Sequence, residues 1–162
     1  MAPVVLAAPL DEISARARPY PAWLLPEGGT GLCLFAAAFQ GHNDAIHMAR
    51  MEMVVTLVDV DVPKLNDMAG LYPEWENIAS DAWRYAKISR GIGRQWDVVS
   101  VDTWTGDLER RSLDSLDLWC SLARKAVTVT HTVGSDFEVP DGWDAGFFPR
   151  TDKVNWLVLT RA

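Results

Sequence analysis

Residues 32–61 read LCLFAAAFQGHNDAIHMARMEMVVTLVDVD, and this stretch decides the fold. A short apolar run, Leu32 to Phe35, feeds a segment of small residues with one glycine, Gly41. A helix-like stretch follows. A second apolar run, Val54 to Val58, is closed by Asp59 and Asp61. That is the layout of a strand, a loop, a helix and a second strand ending in an acid. Such a unit suits a nucleotide-like group. Unpaired N–H groups at the helix start point outward, and the acid can accept hydrogen bonds from ribose hydroxyls.

Elements alternate outward from this unit. Leu32 to Ala37 reads as a strand, and Asn43 to Met53 as a helix capped by Asn43 or Asp44. Ile46, Ala49 and Met53 share one face of that helix. Val54 to Val58 is a strand. Val62 to Gly70 is a short helix with Pro63 in its first turn. Trp75 to Ala79 is a strand ending near Ser80-Asp81, and Ala82 to Arg90 a helix leading to Gly91-Ile92-Gly93. Trp96 to Val101 is a strand ending at Asp102. Leu113 to Lys125 is predicted as one helix with Leu113, Leu116, Trp119, Cys120 and Ala123 on one face. Ala126 to His131 is a strand, and Gly142 to Phe148 and Val154 to Thr160 form a closing pair. Nearly continuous apolar strands alternating with helices predict an α/β domain, its mostly parallel sheet covered on both faces. The last pair, with no helix between its members, predicts an antiparallel hairpin at one edge.

Residues 1–30 hold five of the nine prolines. They read as a proline-rich arm, with Tyr20, Trp23, Leu24 and Leu25 as anchors on an α/β domain over 31–162. The opening MAPVVLAAPL has no basic region and is broken by Pro3 and Pro9, so no signal peptide is expected. No apolar run reaches the ~18 residues needed to span a bilayer. A soluble, cytoplasmic protein is the expectation.

Hydrophobic content of 49% and charged content of 23% fit a folded chain of 162 residues with one core. The net charge of −7 argues against nonspecific nucleic-acid binding. Arg90, Arg94, Arg110, Arg111, Arg124 and Lys125 are scattered and read as solvated. Cys33 and Cys120 lie in apolar segments and read as buried free thiols, without the pairing a structural zinc needs. His42 and His47, five residues apart, fall on different helix faces, so no metal is expected. His131 reads as a surface residue at a strand end.

The order of elements resembles the class I S-adenosylmethionine-dependent methyltransferases over roughly residues 30 to 162. The local text is most similar to cytosine-5 DNA methyltransferases. The resemblance rests on Leu34-Phe35 before a small-residue loop, Gly41-His42, Met53-Val54-Val55 through Asp59-Val60-Asp61, and Tyr72-Pro73 before a strand ending at Ser80-Asp81. It implies a Rossmann-like fold, S-adenosylmethionine as cofactor and methyl transfer to an unknown acceptor. Phe35, Ala37 and Gly41 then fall where the family's glycine-rich loop passes the methionine part. Asp59 falls at the ribose, with Asp61 as alternate, and Asp81 and Ala82 at the adenine. Asp102 to Gly106 falls where the family places its substrate-facing motif, making Asp102 and Trp104 the catalytic candidates and Asp102 a cofactor-binding candidate as well.

Each candidate has a plainer reading. Asp59 and Asp61 also suit a polar strand end or a cap before Pro63, and Asp81 suits a cap for the following helix. Asp102, Trp104 and Asp107 also suit an acidic solvated loop with a packing tryptophan, which is the preferred reading there. Trp75, Trp96, Trp119 and Trp156 read as core. Trp23, Trp83, Trp104 and Trp143 read as candidates for exposure. Phe35, Ala37 and Phe39 stand where the family has an acid and glycines. The slot of the Pro-Cys nucleophile reads Val101-Asp102-Thr103-Trp104-Thr105. A second function therefore stands beside methyl transfer: a non-catalytic assembly or binding module on the same scaffold, encoded by a virus such as a phage or by a mobile element, with a protein partner in place of an acceptor.

Overall fold

The structure is a computed structural model and describes residues 28–35, 42–103, 106–149 and 152–162. Its described elements are β1 (Thr30–Leu34), α1 (His42–Arg50), β2 (Val54–Asp59), α2 (Val62–Leu71), β3 (Glu76–Ala79), α3 (Ala82–Gly91), β4 (Trp96–Val101), α4 (Gly106–Leu113), α5 (Leu116–Leu122), β5 (Ala123–Thr132), β6 (Trp143–Pro149) and β7 (Val154–Arg161). The strands form one sheet in the order β3-β2-β1-β4-β5-β7-β6. The first five run parallel, and β7 is antiparallel to both β5 and β6. This is the expected mostly parallel sheet with a C-terminal antiparallel hairpin at its edge.

The order places the site. The chain steps from β1 out to β2 and β3, then returns to lay β4 on the other side of β1. Where the direction of winding reverses, neighbouring loops diverge and leave a crevice at the carboxyl ends of the strands. The register lines those ends up. Leu34 pairs with both Val58 and Val101, Val58 with Ile78, and Val101 with Val129. The next residues, Phe35, Asp59 and Asp102, therefore emerge along one edge.

Both faces of the sheet are covered. Leu32, Leu34, Val99, Val127 and Leu157 pack with Trp83, Trp119 and Leu122 of α3 and α5. Cys33, Val55, Leu57 and Val98 pack with Ile46, Met48 and Leu65 of α1 and α2. Each fully buried side chain of this size contributes roughly 1.5–3 kcal/mol. Gly31 leaves room for the second layer, because a Cβ there would force the Met48 sulphur to shift. The start of β1 is tied to β4 by Asp97, whose carboxylate accepts from the Thr30 N–H at 2.9 Å.

Several expectations need correction. β1 ends at Leu34 rather than Ala37, and α1 ends at Arg50 rather than Met53. Asp44 lies in the first turn of α1, but its carboxylate accepts from the Ser100 hydroxyl at 2.7 Å, spanning to β4. The helix predicted over Leu113 to Lys125 is two helices, and α4 was not foreseen. Gly106-Asp107-Leu108-Glu109-Arg110-Arg111 is too polar to show an apolar stripe. The turn between α4 and α5 is set locally, by the Ser115 hydroxyl donating to the Arg111 carbonyl at 2.7 Å. β5 starts at Ala123, where the alternating Ala-Val-Thr-Val-Thr run overrides helix periodicity. Trp83 and Trp143 are buried at 3% and 9% exposure, against the expectation that they could face solvent. Trp75, Trp96, Trp119 and Trp156 are core, as expected. His131 is buried, not a surface residue. The arm with its Tyr20, Trp23, Leu24 and Leu25 lies outside the described residues, except for its last turn.

Candidate functional site

Phe35 opens the crevice. Its backbone is left-handed, with φ of 60°. That conformation is natural to glycine and costs other residues roughly 1–2 kcal/mol. Phe35 thus adopts a glycine-like turn at the head of the loop. Two contacts hold it: its N–H donates to the Val58 carbonyl at 3.0 Å, and its ring meets Trp83 edge-on at 5.1 Å between centroids. The ring lies against a wall of the crevice.

Asp59 ends β2 and is 4% exposed. Its Oδ1 accepts from the Asp61 N–H at 2.8 Å, which turns the chain sharply after the strand. Asp61 is the cap of α2, accepting from the Lys64 N–H at 3.2 Å. Between these two acids the plainer cap reading belongs to Asp61, while Asp59 sits at the crevice. Asp81 is both things at once. It caps α3 by accepting from the Arg84 N–H at 2.9 Å, and it lines the crevice.

These residues bound one cavity of about 180 Å³. Phe35, Asp59, Asp81 and Ala82, four of the residues singled out in the sequence, all line it. Val60, Ser80, Trp83, Leu108 and Arg111 complete the wall. The Trp83 indole N–H donates to the Ser115 hydroxyl at 2.9 Å, fixing the ring. The Arg111 guanidinium stacks over that ring at 3.8 Å, so one residue read as a scattered surface charge belongs to the crevice wall. Leu108 and Arg111 were missed because α4 was missed. Trp83 had a signal, its place directly after Asp81 and Ala82.

Asp102 lies in a second group, on the β4–β5 side. It is 1% exposed, so the solvated-loop reading fails for it, although Asp107 is exposed. The Thr130 hydroxyl donates to Asp102 Oδ1 at 2.7 Å and accepts from the Thr103 N–H at 3.1 Å. Asp44 and Ser100 lie beside this pair, both buried. Cys33 is close enough to feel both acids. Burial first, then the charges of Asp44 and Asp102, push its thiol well above the usual range. A thiol so held stays protonated and is a poor nucleophile. Ala37, Phe39, Gly41 and Trp104 lie outside the described residues, as does the His42 side chain.

No protein-family model matches the chain, and no curated protein matches it in sequence. Solved structures do match. The Haemophilus influenzae protein HI0767, provisionally described as a methylase, shares 19% identity at a TM-score of 0.63, over 86% of this chain and 91% of its own. Escherichia coli yhhF, provisionally described as a methyltransferase, shares 18% at 0.63, over 83% and 78%. Magnesium protoporphyrin IX methyltransferase from Synechocystis, solved with bound S-adenosylmethionine, shares 14% at 0.58, over 87% and 76%. At these identities the likeness is one of fold: the chain has the Rossmann-like architecture of S-adenosylmethionine-dependent methyltransferases.

Proposed function

We propose that the chain binds S-adenosylmethionine in the crevice over β1, β2 and β3 and transfers its methyl group to an acceptor at the β4 edge. One observation carries this reading: Phe35, Asp59 and the adjacent pair Asp81 and Ala82, from three different strand ends, converge on a single cavity over the carboxyl ends of β1, β2 and β3. The donor set fits the group. The Asp59 carboxylate at the end of β2 would accept from ribose hydroxyls, and the exposed Val60 would offer apolar surface to the adenine. When bound, the sulfonium supplies an already activated methyl group. The chain's own task is then to orient the acceptor and exclude water.

Asp102 is the candidate for orienting the acceptor. The Thr130 hydroxyl donates to its Oδ1 at 2.7 Å and fixes the carboxylate at the end of β4, beside the proposed acceptor position. The local resemblance to cytosine-5 enzymes does not extend to their chemistry. Asp102-Thr103 fills the nucleophile slot, and the buried Cys33 thiol stays protonated, so direct transfer is the favoured route.

Titration calorimetry with S-adenosylhomocysteine tests the reading. Micromolar binding that Asp59→Ala abolishes is expected. Absence of heat at millimolar ligand would overturn it and favour the non-catalytic module.

A further inference from the structure

A second, larger concavity lies away from the crevice, between α4, α5 and the loop 133–142. Its volume is about 630 Å³, within the range of ligand sites. Leu113, Leu116, Phe137 and Val139 supply apolar surface. Leu113 and Leu116 are nearly fully buried at its base, while Val139 is 38% exposed. Asp117, Asp136, Glu138 and Asp141 line it as exposed carboxylates. Arg110 is the single cation in the lining, and it is already committed. It pairs with Asp114 at 2.8 Å and donates to the Asp136 carbonyl at 2.7 Å. Among the described residues the other four acids carry no ion pair.

The acids are held together against their mutual repulsion. Glu109, 7% exposed, accepts from the Thr132 N–H at 2.8 Å, the Thr132 hydroxyl at 2.7 Å and the Ser135 hydroxyl at 2.7 Å. This clamp fixes the start of the acidic loop against α4, so the groove is formed in advance. Behind Phe137 lies His131, 2% exposed and 5.7 Å away between ring centroids. Its Nδ1 faces the Thr132 carbonyl at 3.0 Å and so carries the proton. Nε2 is then an acceptor, with no hydrogen-bond partner among the described residues. Apart from the committed Arg110, the charged side chains of this groove all accept. Its complement is a partner that donates, carries positive charge and has an apolar body.

We infer that this groove docks a basic amphipathic peptide segment of a protein partner, its aliphatic side chains on Leu116, Phe137 and Val139 and its Lys or Arg side chains against Asp117, Glu138 and Asp141. Charge complementarity commits the choice, since four uncompensated carboxylates around an apolar base repel acidic partners and nucleic acid alike. The inference does not rest on the cofactor reading, because the crevice and the groove share no lining residue.

The test uses the full chain and a labelled hexapeptide alternating arginine and leucine, followed by fluorescence anisotropy. Saturable binding is expected. It should weaken about tenfold in the double variant Asp117→Asn with Glu138→Gln, from the loss of two surface charge pairs. It should be unchanged in Asp67→Asn with Asp152→Asn, which removes equal charge from exposed positions outside the groove. Equal weakening in both double variants would reduce the effect to net charge and overturn the inference. So would equal affinity for an all-arginine hexapeptide, or no binding at millimolar peptide. Sedimentation showing that the chain associates with itself through the groove would replace the partner segment by a second copy and overturn it as well.

Discussion

The Thr130 hydroxyl donates to Asp102 Oδ1 at 2.7 Å, joining the ends of β4 and β5 through two side chains that are each 1% exposed. The same oxygen receives the Thr103 N–H, so one hydroxyl fixes both the acid and the backbone that follows it. Thr130→Val keeps the shape and removes both roles. The expected loss is about 2 kcal/mol, the usual scale for a buried bond to a charged group. Urea unfolding checks it. A change of only a few tenths would mean that Asp102 does not depend on this donor. If Asp102 orients the acceptor, methyl transfer should fall in this variant while cofactor affinity is kept.

Two buried groups set the pH dependence of stability in separate windows. Burial holds the His131 imidazole below the usual histidine range, against the Thr132 carbonyl and the Glu109 charge. The unfolded chain therefore takes up this proton first, and stability falls as pH drops below about 6.5. Burial alone would push the Glu109 carboxyl up, but the bonds from Ser135 and Thr132 outweigh it and hold it below the usual range. Its contribution is complete above an unfolded value of about 4.3 and is lost as pH falls through the depressed folded value. Urea midpoints across pH should show both declines. Glu109→Gln should remove the lower one and deepen the upper, because the Glu109 charge no longer opposes the effect of burial on His131. A single decline unaffected by Glu109→Gln would contradict this assignment.

Both thiols should be silent in the folded chain. Cys33 and Cys120 are free and buried. Burial pushes Cys120 up to about 12, with Arg161 opposing and Asp117 adding to it. Ellman's reagent should label neither cysteine in native buffer and both in guanidinium chloride. Rapid native labelling of Cys33 would mean that the β1 end opens to solvent.

Trp83 joins the crevice to the core. It meets Phe35 and Trp119, lies under Arg111 and donates to Ser115. Trp83→Ala should cost roughly 3–5 kcal/mol, the scale for emptying a buried aromatic site. Trp83→Phe should cost about 1 kcal/mol, for the single lost hydrogen bond. Equal costs for the two variants would show that the ring contributes little beyond its N–H.

The sheet was legible because its strands announce themselves. Val54 to Val58 and Trp96 to Val101 are mostly apolar, valine-rich runs, and Asp59 and Asp102 mark their ends. Position after a strand was enough to bring Phe35, Asp59, Asp81 and Ala82 to one place. It was not enough for Arg111, which reaches the crevice from α4, a helix whose polar residues leave no periodic stripe to read. It singled out Asp102 but preferred a solvated loop there, because neither its burial nor the Thr130 hydroxyl that meets it from another strand shows in the local sequence. Composition also misled at His131. A histidine at a strand end suggests solvent, but Phe137 and Phe147 close over it from the loop and the edge strand.

The most direct test of the central claim is a proton–nitrogen NMR titration of labelled protein with S-adenosylhomocysteine. Saturating shifts should concentrate at the backbone amides of Phe35, Val60, Asp61, Ser80, Asp81 and Ala82, with the Trp83 indole moving among them. Shifts confined to other strands, or a spectrum unchanged at millimolar ligand, would contradict the assignment of this crevice to an adenosyl group.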